Sequence, residues 1–325
     1  MVFVSDCMIT HIPTSSDYEK SALSMLNLSW EMALQLAIQL DEAKEDDNEV
    51  EEATYWAACH TQLTTSISLV QQALEFQLKS RIVAVSPYLL IAGPPKNWPQ
   101  DCDTTDLPFA DFYAVEAQDL LRAHDTVSNQ RVPQEIKQLF ESVRKLRNRI
   151  MHTVDARLKV EVPQVIIAVL EIANWCIGCG KWTDARRQHI ELSPNSIAYA
   201  AYSDHSTFII ARELLKAVEI LKPAEVQNLL GFDKKARRYA CPECALECSD
   251  DGMKPNLAFL VPNTPTSTNV HCYVCGRDCA VVRRNCSAPD CKGNVISVEE
   301  MLCLTCLKET EEQAEAPTTT PNPRP

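Results

Sequence analysis

Apolar residues recur along the first half of the chain at intervals of three and four. In residues 18–40, Leu23, Leu26, Trp30, Leu34 and Ile38 fall on one side of a helix. Residues 53–85 repeat the pattern with Trp56, Leu63, Ile67, Val70, Leu74 and Leu78, which predicts a second long helix. The acidic run 41–52 between them reads as a solvated loop and a first helical turn. Further helices are predicted over 114–124, 133–152 and 162–176, the second of them opening on Pro133, whose fixed φ suits a first turn. Pro87, Pro94, Pro95, Pro99 and Pro108 break up the stretch 86–110, which is expected to be ordered loop or short turns. The sum is an antiparallel bundle of four to five helices. After a polar stretch at 188–202, another amphipathic segment runs from 206 to 221. Residues 309–325 carry too few apolar side chains to pack and are expected to form a disordered tail.

Composition narrows the function classes. The 325 residues suit two or three domains. Only 7 are glycine, and neither a G-x-x-x-x-G-K nor a G-x-G-x-x-G string occurs, so a glycine-rich phosphate cradle is not expected. With 44 acidic against 31 basic side chains the net charge is −13, so nucleic acid could be held only by a local basic patch. The opening MVFVSDCMIT lacks the basic and then apolar regions of a secretory signal. The apolar run 165–172 is interrupted by Glu171 and is too short to span a bilayer. The expectation is a cytoplasmic chain with no membrane partner.

Cysteine divides the molecule. Of 15 cysteines, Cys7, Cys59, Cys102, Cys176 and Cys179 lie in the first 240 residues, and the other ten fall within 241–306. In a reducing compartment such density reads as metal ligation rather than disulfides. The pairs are Cys241/Cys244, Cys272/Cys275, Cys286/Cys291 and Cys303/Cys306, with Gly276 placed where a tight turn needs positive φ. Taken in order they give two closed sites of four thiolates, the usual structural arrangement for Zn2+. A closed site has no open coordination position, so it folds a small β-rich zinc-ribbon region rather than hydrolysing anything. Cys248, Cys279 and His271 are left over, and a pairing that interleaves one of the two cysteines stays open. Cys176-Ile-Gly-Cys179 is read as a pair of buried helix-end cysteines ahead of a metal or redox pair, with Gly178 and Gly180 as helix stops.

One segment of the helical half stands apart: Lys145-Leu-Arg147-Asn148-Arg149-Ile-Met-His152. Residues 137–159 hold seven Lys and Arg against Glu141 and Asp155. Such a helix is often no more than a solvated face. At ~100° per residue, Asn148 and His152 lie ~40° apart, whereas Arg147 and His152 lie ~140° apart. One helix therefore cannot aim both Arg147 and His152 at the same atom; a site using both needs a helix end at His152 or two copies face to face.

The string Arg147-Asn148-x3-His152 resembles the R-polar-x3-H motif of HEPN (higher eukaryotes and prokaryotes nucleotide-binding) domains. The layout is similar as well: a first helix with LSWEMALQLAI, a second ending LEFQLKSRIV, a Pro-rich loop, and the motif on the penultimate long helix. The resemblance covers residues 15–180. It implies a metal-independent endoribonuclease, of the kind found in toxins and phage-defence effectors, with one composite site between the motif helices of a homodimer. On that resemblance Arg147, Asn148 and His152 are catalytic, and Arg144 and Arg149 hold the RNA backbone. A branch of the family carries a tyrosine two residues after the histidine, where a partner enzyme modifies it; Val154 stands there, so this silencing is not implied.

The expected organisation is a HEPN-like bundle over 15–180, a helical connector over 181–237, a zinc-ribbon region over 238–308 and the tail. Two other functions compete. In one, the helices only dimerise or sense, and the zinc ribbons bind nucleic acid or a protein partner. In the other, the zinc ribbons bind DNA through Lys234, Lys235, Arg237 and Arg238 with Arg283 and Arg284.

Overall fold

A computed structural model describes residues 8–45, 50–152, 158–193, 204–249 and 252–310. Cys7, Val154, Asp155, Arg157 and most of the expected tail lie outside the described residues. The chain is mainly helical, with a small antiparallel sheet region after the helices. It divides into two compact units, residues 1–189 with 216–234, and residues 190–215 with 235–325.

The first unit is organised around α1 (Ser15–Glu45) and α3 (His60–Val83). Thr14 and Asp17 fix the start of α1 reciprocally: the Thr14 backbone N–H and hydroxyl donate to the Asp17 carboxylate at 2.8 and 2.7 Å, and the Asp17 N–H donates back to the Thr14 hydroxyl at 3.2 Å. Leu26, Trp30 and Leu34 of α1 are buried with Leu74 and Leu78 of α3. Small residues (Ala22, Ala33 and Ala37 on α1, Ala73 on α3) bring the backbones close, and the buried Ser29 hydroxyl donates to the Ser66 carbonyl at 3.0 Å across the gap. Two expectations need correcting. The helix α1 runs on through residues 41–45 instead of giving way to loop, and Asp41 on this last turn pairs with Lys216. The second long helix is interrupted at Cys59, which separates α2 (Glu52–Ala58) from α3, although backbone bonds from Cys59 to Tyr55 and from Leu63 to Cys59 span the break.

The Pro-rich connection forms three short 3-10 turns, and its Leu107–Pro108 segment (β2) pairs in parallel with Ile9–Thr10 (β1). Next come α4 (Ala117–Val127) and α5 (Gln134–His152), both packed on α3. Asp125 ties the two together. It accepts from the Val132 backbone at 2.9 Å and from the His124 ring at 3.1 Å, and it pairs with Lys137 of α5 at 2.5 Å. Burial alone would raise the Asp125 carboxyl, but these partners, Lys137 foremost, outweigh it and lower the pKa to about 2. The stability it contributes is present above the unfolded carboxylate pKa of about 4 and is lost as pH falls through about 2. Asp125→Asn is therefore expected to cost about 1–3 kcal/mol at neutral pH. Denaturant midpoints of the two proteins should converge at the acid end of that range.

The helix α6 (Val162–Ile177) is buried on most of its circumference through Val165, Ile166, Val169, Leu170 and Ile172, and packs on α1, α3 and α5. Glu161 and Gln164 form its capping box, and Gly178 (φ 95°) and Gly180 (φ 78°) end it in backbone that other residues rarely adopt. The connector that follows opens with a helix, as expected, despite its polarity. In α7 (Trp182–Leu192), the buried Trp182 ring meets Trp30 edge-on at 5.4 Å, and the buried Arg186 pairs with Glu31 at 3.0 Å. The amphipathic segment forms α8 (Asp204–Ile220), and the short α9 (Pro223–Leu230) packs on α6, where the Asn174 amide donates to the Leu229 carbonyl at 2.9 Å.

The second unit holds α10 (Pro242–Glu247) and an antiparallel sheet of β3 (Ala258–Leu260), β4 (Asn269–Cys272), β5 (Asp278–Val282) and β6 (Ile296–Ser297) in sequence order. Val270 pairs with both Leu260 and Cys279, and Val281 pairs with Ser297. Among the described residues no single helix is long and apolar enough to cross a membrane.

Candidate metal centres and the motif helix

The first cluster joins a helix start to a strand end. Cys241 is the N-cap of α10, Pro242 opens the helix, and Cys244 sits in its first turn, so the two thiols leave the same helix end. Cys272 ends β4, and the chain turns back through Gly276 (φ 72°), whose N–H donates to the Cys272 carbonyl at 2.9 Å. This brings Cys275 round beside Cys241. The Sγ atoms of Cys241 and Cys275 are 3.8 Å apart and those of Cys244 and Cys272 3.7 Å. All four lie within 4.8 Å of one another.

The second cluster gathers Cys286, Cys291, Cys303 and Cys306 within the same limit. Cys286 and Cys306 are 3.7 Å apart, and Cys291 and Cys303 3.8 Å. Backbone N–H groups of Ala288 and Gly293 point at the Cys286 and Cys291 sulfurs at 3.4 and 3.3 Å and favour thiolate, but burial and the neighbouring thiols leave both groups raised on balance. Gly293 is sterically required here: a Cβ would stand 2.6 Å from the Cys303 sulfur and 2.8 Å from Thr305. The Ala240 N–H donates to the Leu304 carbonyl at 2.9 Å, which ties the approach to the first cluster to the turn of the second.

Both donor sets fit a structural zinc ion. Zn–S bonds of about 2.3 Å directed to a tetrahedron put sulfurs about 3.8 Å apart. The proton chemistry agrees. Hydrogen bonding with its neighbours, Cys244 first, holds Cys241 well below the ordinary thiol range, whereas the same network, together with burial, pushes Cys244 and Cys272 well above it. Cys275 is lowered as well, so two thiolates are stabilised at the expense of the other two, and full deprotonation of the four needs a cation among them.

The clusters consist of the sequential pairs, without interleaving. Cys248 is fully buried at the C-cap of α10, outside the cluster. Cys279 lies on β5, and burial raises its thiol. His271 is bonded through Nδ1 to Asp278 at 2.8 Å and stacks edge-on with Tyr273 at 4.8 Å. The Cys176 thiol is pushed up to about 12 by burial, and Cys179 is exposed beside the Asn228 and Leu229 carbonyls. Neither belongs to a ligand cluster among the described residues.

The motif helix α5 buries Ile136, Phe140 and Val143. Continued along the helix, that stripe runs through Arg147 and Ile150, both half-buried. Arg147 donates to the Asn148 side-chain Oδ1 at 3.4 Å. Asn148 is half-buried and His152, the last residue of α5, is exposed. The pair therefore shares a side of the helix turned off the buried stripe, and Arg147 lies on the stripe. Arg144 pairs with Glu141 at 2.9 Å, while Arg149 is exposed.

Several charges read from the sequence as a basic patch are engaged locally. Lys234 donates to the Glu219 and Leu221 carbonyls at 3.0 and 2.7 Å and so caps α8. Arg237 lies over the Tyr239 ring at 5.4 Å and reaches Thr305 at 3.5 Å, and Arg284 donates to Thr310 at 3.0 Å. Gly293 matters to the second cluster and carries no motif of its own; its sequence signal is its position two residues after Cys291. No protein family, curated protein or solved structure matches the chain.

Proposed function

We propose that the chain is a HEPN-type endoribonuclease that needs no metal for the cut and acts as a homodimer, with a Zn2+ ion held in each four-thiolate cluster. The observation that carries the reading is the Arg147-Asn148-x3-His152 string at the exposed C-terminal end of a basic amphipathic helix. Asn148 and His152 share one side and Arg147 another, which suits a site completed by a second copy of the helix.

In this reading the ribose 2′-oxygen attacks the adjacent phosphorus and the 5′-oxygen leaves. His152 takes the proton from the attacking hydroxyl or gives one to the leaving oxygen. Arg147 stabilises the charge that builds on the phosphoryl oxygens. Asn148 orients His152 or bonds the phosphate, and Arg144 and Arg149 hold the flanking backbone. The cysteine clusters fold the second unit, which engages RNA or a protein partner. Two facing helices of like charge repel, so apolar contacts or acids elsewhere on the chain must offset them.

The test is cleavage of defined RNA by the purified full chain, with sedimentation run alongside. The expected products end in 2′,3′-cyclic phosphate and 5′-hydroxyl, and the protein sediments as a dimer at micromolar concentration. DNA, which lacks the 2′-hydroxyl, should not be cut. Cleavage of DNA, or a monomer that cuts RNA at full rate, would remove the composite-site reading.

A further inference from the structure

Within the first unit, α1, the α2–α3 junction, the end of α5 and the entry to α6 enclose a cleft of about 1070 Å3. This is just above the ~300–1,000 Å3 usual for small-molecule sites. Its walls are apolar: Leu40, Trp56, Leu63, Ile150, Leu158 and Val160.

Several of the polar groups around it are already engaged. Asp41 and Lys216 pair with each other, and Lys216 also meets Glu219 at 3.0 Å. The Glu161 side chain serves the capping box of α6. The His60 ring bonds the Leu158 carbonyl at 3.0 Å, and the Thr64 hydroxyl donates to the His60 carbonyl at 2.9 Å. Asp41 and Glu161 balance Lys159 and Lys216, so the lining has no net charge. A lining of balanced charge favours neither a cation nor an anion.

Enclosure decides the size of the occupant. Leu40, Leu63, Leu158 and Val160 line the cleft yet are only 4%, 3%, 6% and 5% exposed. A groove that receives a partner's helix leaves its anchor positions open, because whole side chains must enter. These deep walls can be reached only by something thin, entering past the exposed rim of Ala57, His60, Thr61 and Lys159.

We propose that this cleft binds a neutral, predominantly apolar small molecule. The inference is independent of the nuclease reading. Ile150 belongs to both the cleft and the motif helix, so an occupant would touch the turn of α5 that carries Asn148 and His152.

The neutral dye N-phenyl-1-naphthylamine, titrated into the full chain, tests this. Saturable binding of one dye per chain is expected, with excitation passing to the dye from Trp56. Trp56→Phe should lower that transfer, the remainder coming from the other tryptophans, while direct excitation still reports binding. Ala57→Phe and, separately, Thr61→Phe place a ring at the cleft and should each weaken binding tenfold or more, with unfolding midpoints showing that each variant folds. Ala57 and Thr61 are exposed, so a larger side chain at either does not intrude on the core. Absence of saturable binding, or binding that neither filled variant weakens, would overturn the proposal. So would energy transfer unchanged by Trp56→Phe. Dimerisation or capture of a protein through this surface, without dye binding, would do so as well.

Discussion

His152→Ala and Arg147→Ala are each expected to lower RNA cleavage on the order of 100-fold or more, with different effects on binding. Imidazole is the side chain suited to exchange a proton near neutral pH, and its loss should act on the chemical step. His152 is exposed at the end of α5, so its removal leaves the bundle intact, and affinity for an uncleavable 2′-deoxy RNA should change little. Arg147 carries a fixed charge and should contribute both to binding the phosphate and to the transition state, so its removal should lower both readouts. It is also half-buried on the stripe that begins with Ile136, Phe140 and Val143. Arg147→Lys separates the roles: a lysine keeps charge and most of the packing but not the forked geometry, so stability should return and cleavage should not. Full activity in the His152→Ala protein would leave the dimerisation or sensing reading in place of the nuclease.

The parts legible in sequence were those governed by local physics. The periodicity at Leu26, Trp30 and Leu34 placed the first helix, and cysteine spacing placed both clusters, because a two-residue gap nearly fixes where two thiols point. What could not be read depends on contacts distant in sequence. The Lys216 partner of Asp41 at the end of α1 is one such contact, and the anchoring of α7 by Glu31 and Trp30 is another, although a helix in the connector was expected. A polar helix anchored by one buried arginine and one tryptophan shows little apolar periodicity. The motif was visible as a string, and helical geometry already separated Arg147 from His152. Which of the two faces the bundle depends on the partners of Phe140 and Val143, and no local pattern specifies those.

Removing metal should have a large effect on stability, and one confined to the second unit. Structural zinc in small domains supplies about 10–16 kcal/mol of apparent binding free energy, which is coupled to folding. The regular structure around these clusters is modest: β3, β4, β5 and β6 are three, four, five and two residues long, and α10 has six. Metal analysis of the purified chain should find about two zinc ions. A strong chelator should then expose residues 241–310 to protease while residues 15–189 stay protected. Cys244→Ser and Cys303→Ser should do the same one cluster at a time, since Cys244 and Cys303 are fully buried. A serine at either position would leave three thiolates around the ion and a buried hydroxyl without a comparable bond. Acid should act in the same direction as the chelator. Four thiolates must stay deprotonated to hold the ion, so affinity falls as pH falls. RNA cleavage should survive the first stage of chelation, because the motif helix belongs to the other unit. Protein isolated without metal, yet protease-resistant over 241–310, would show that the clusters fold by thiol hydrogen bonding alone.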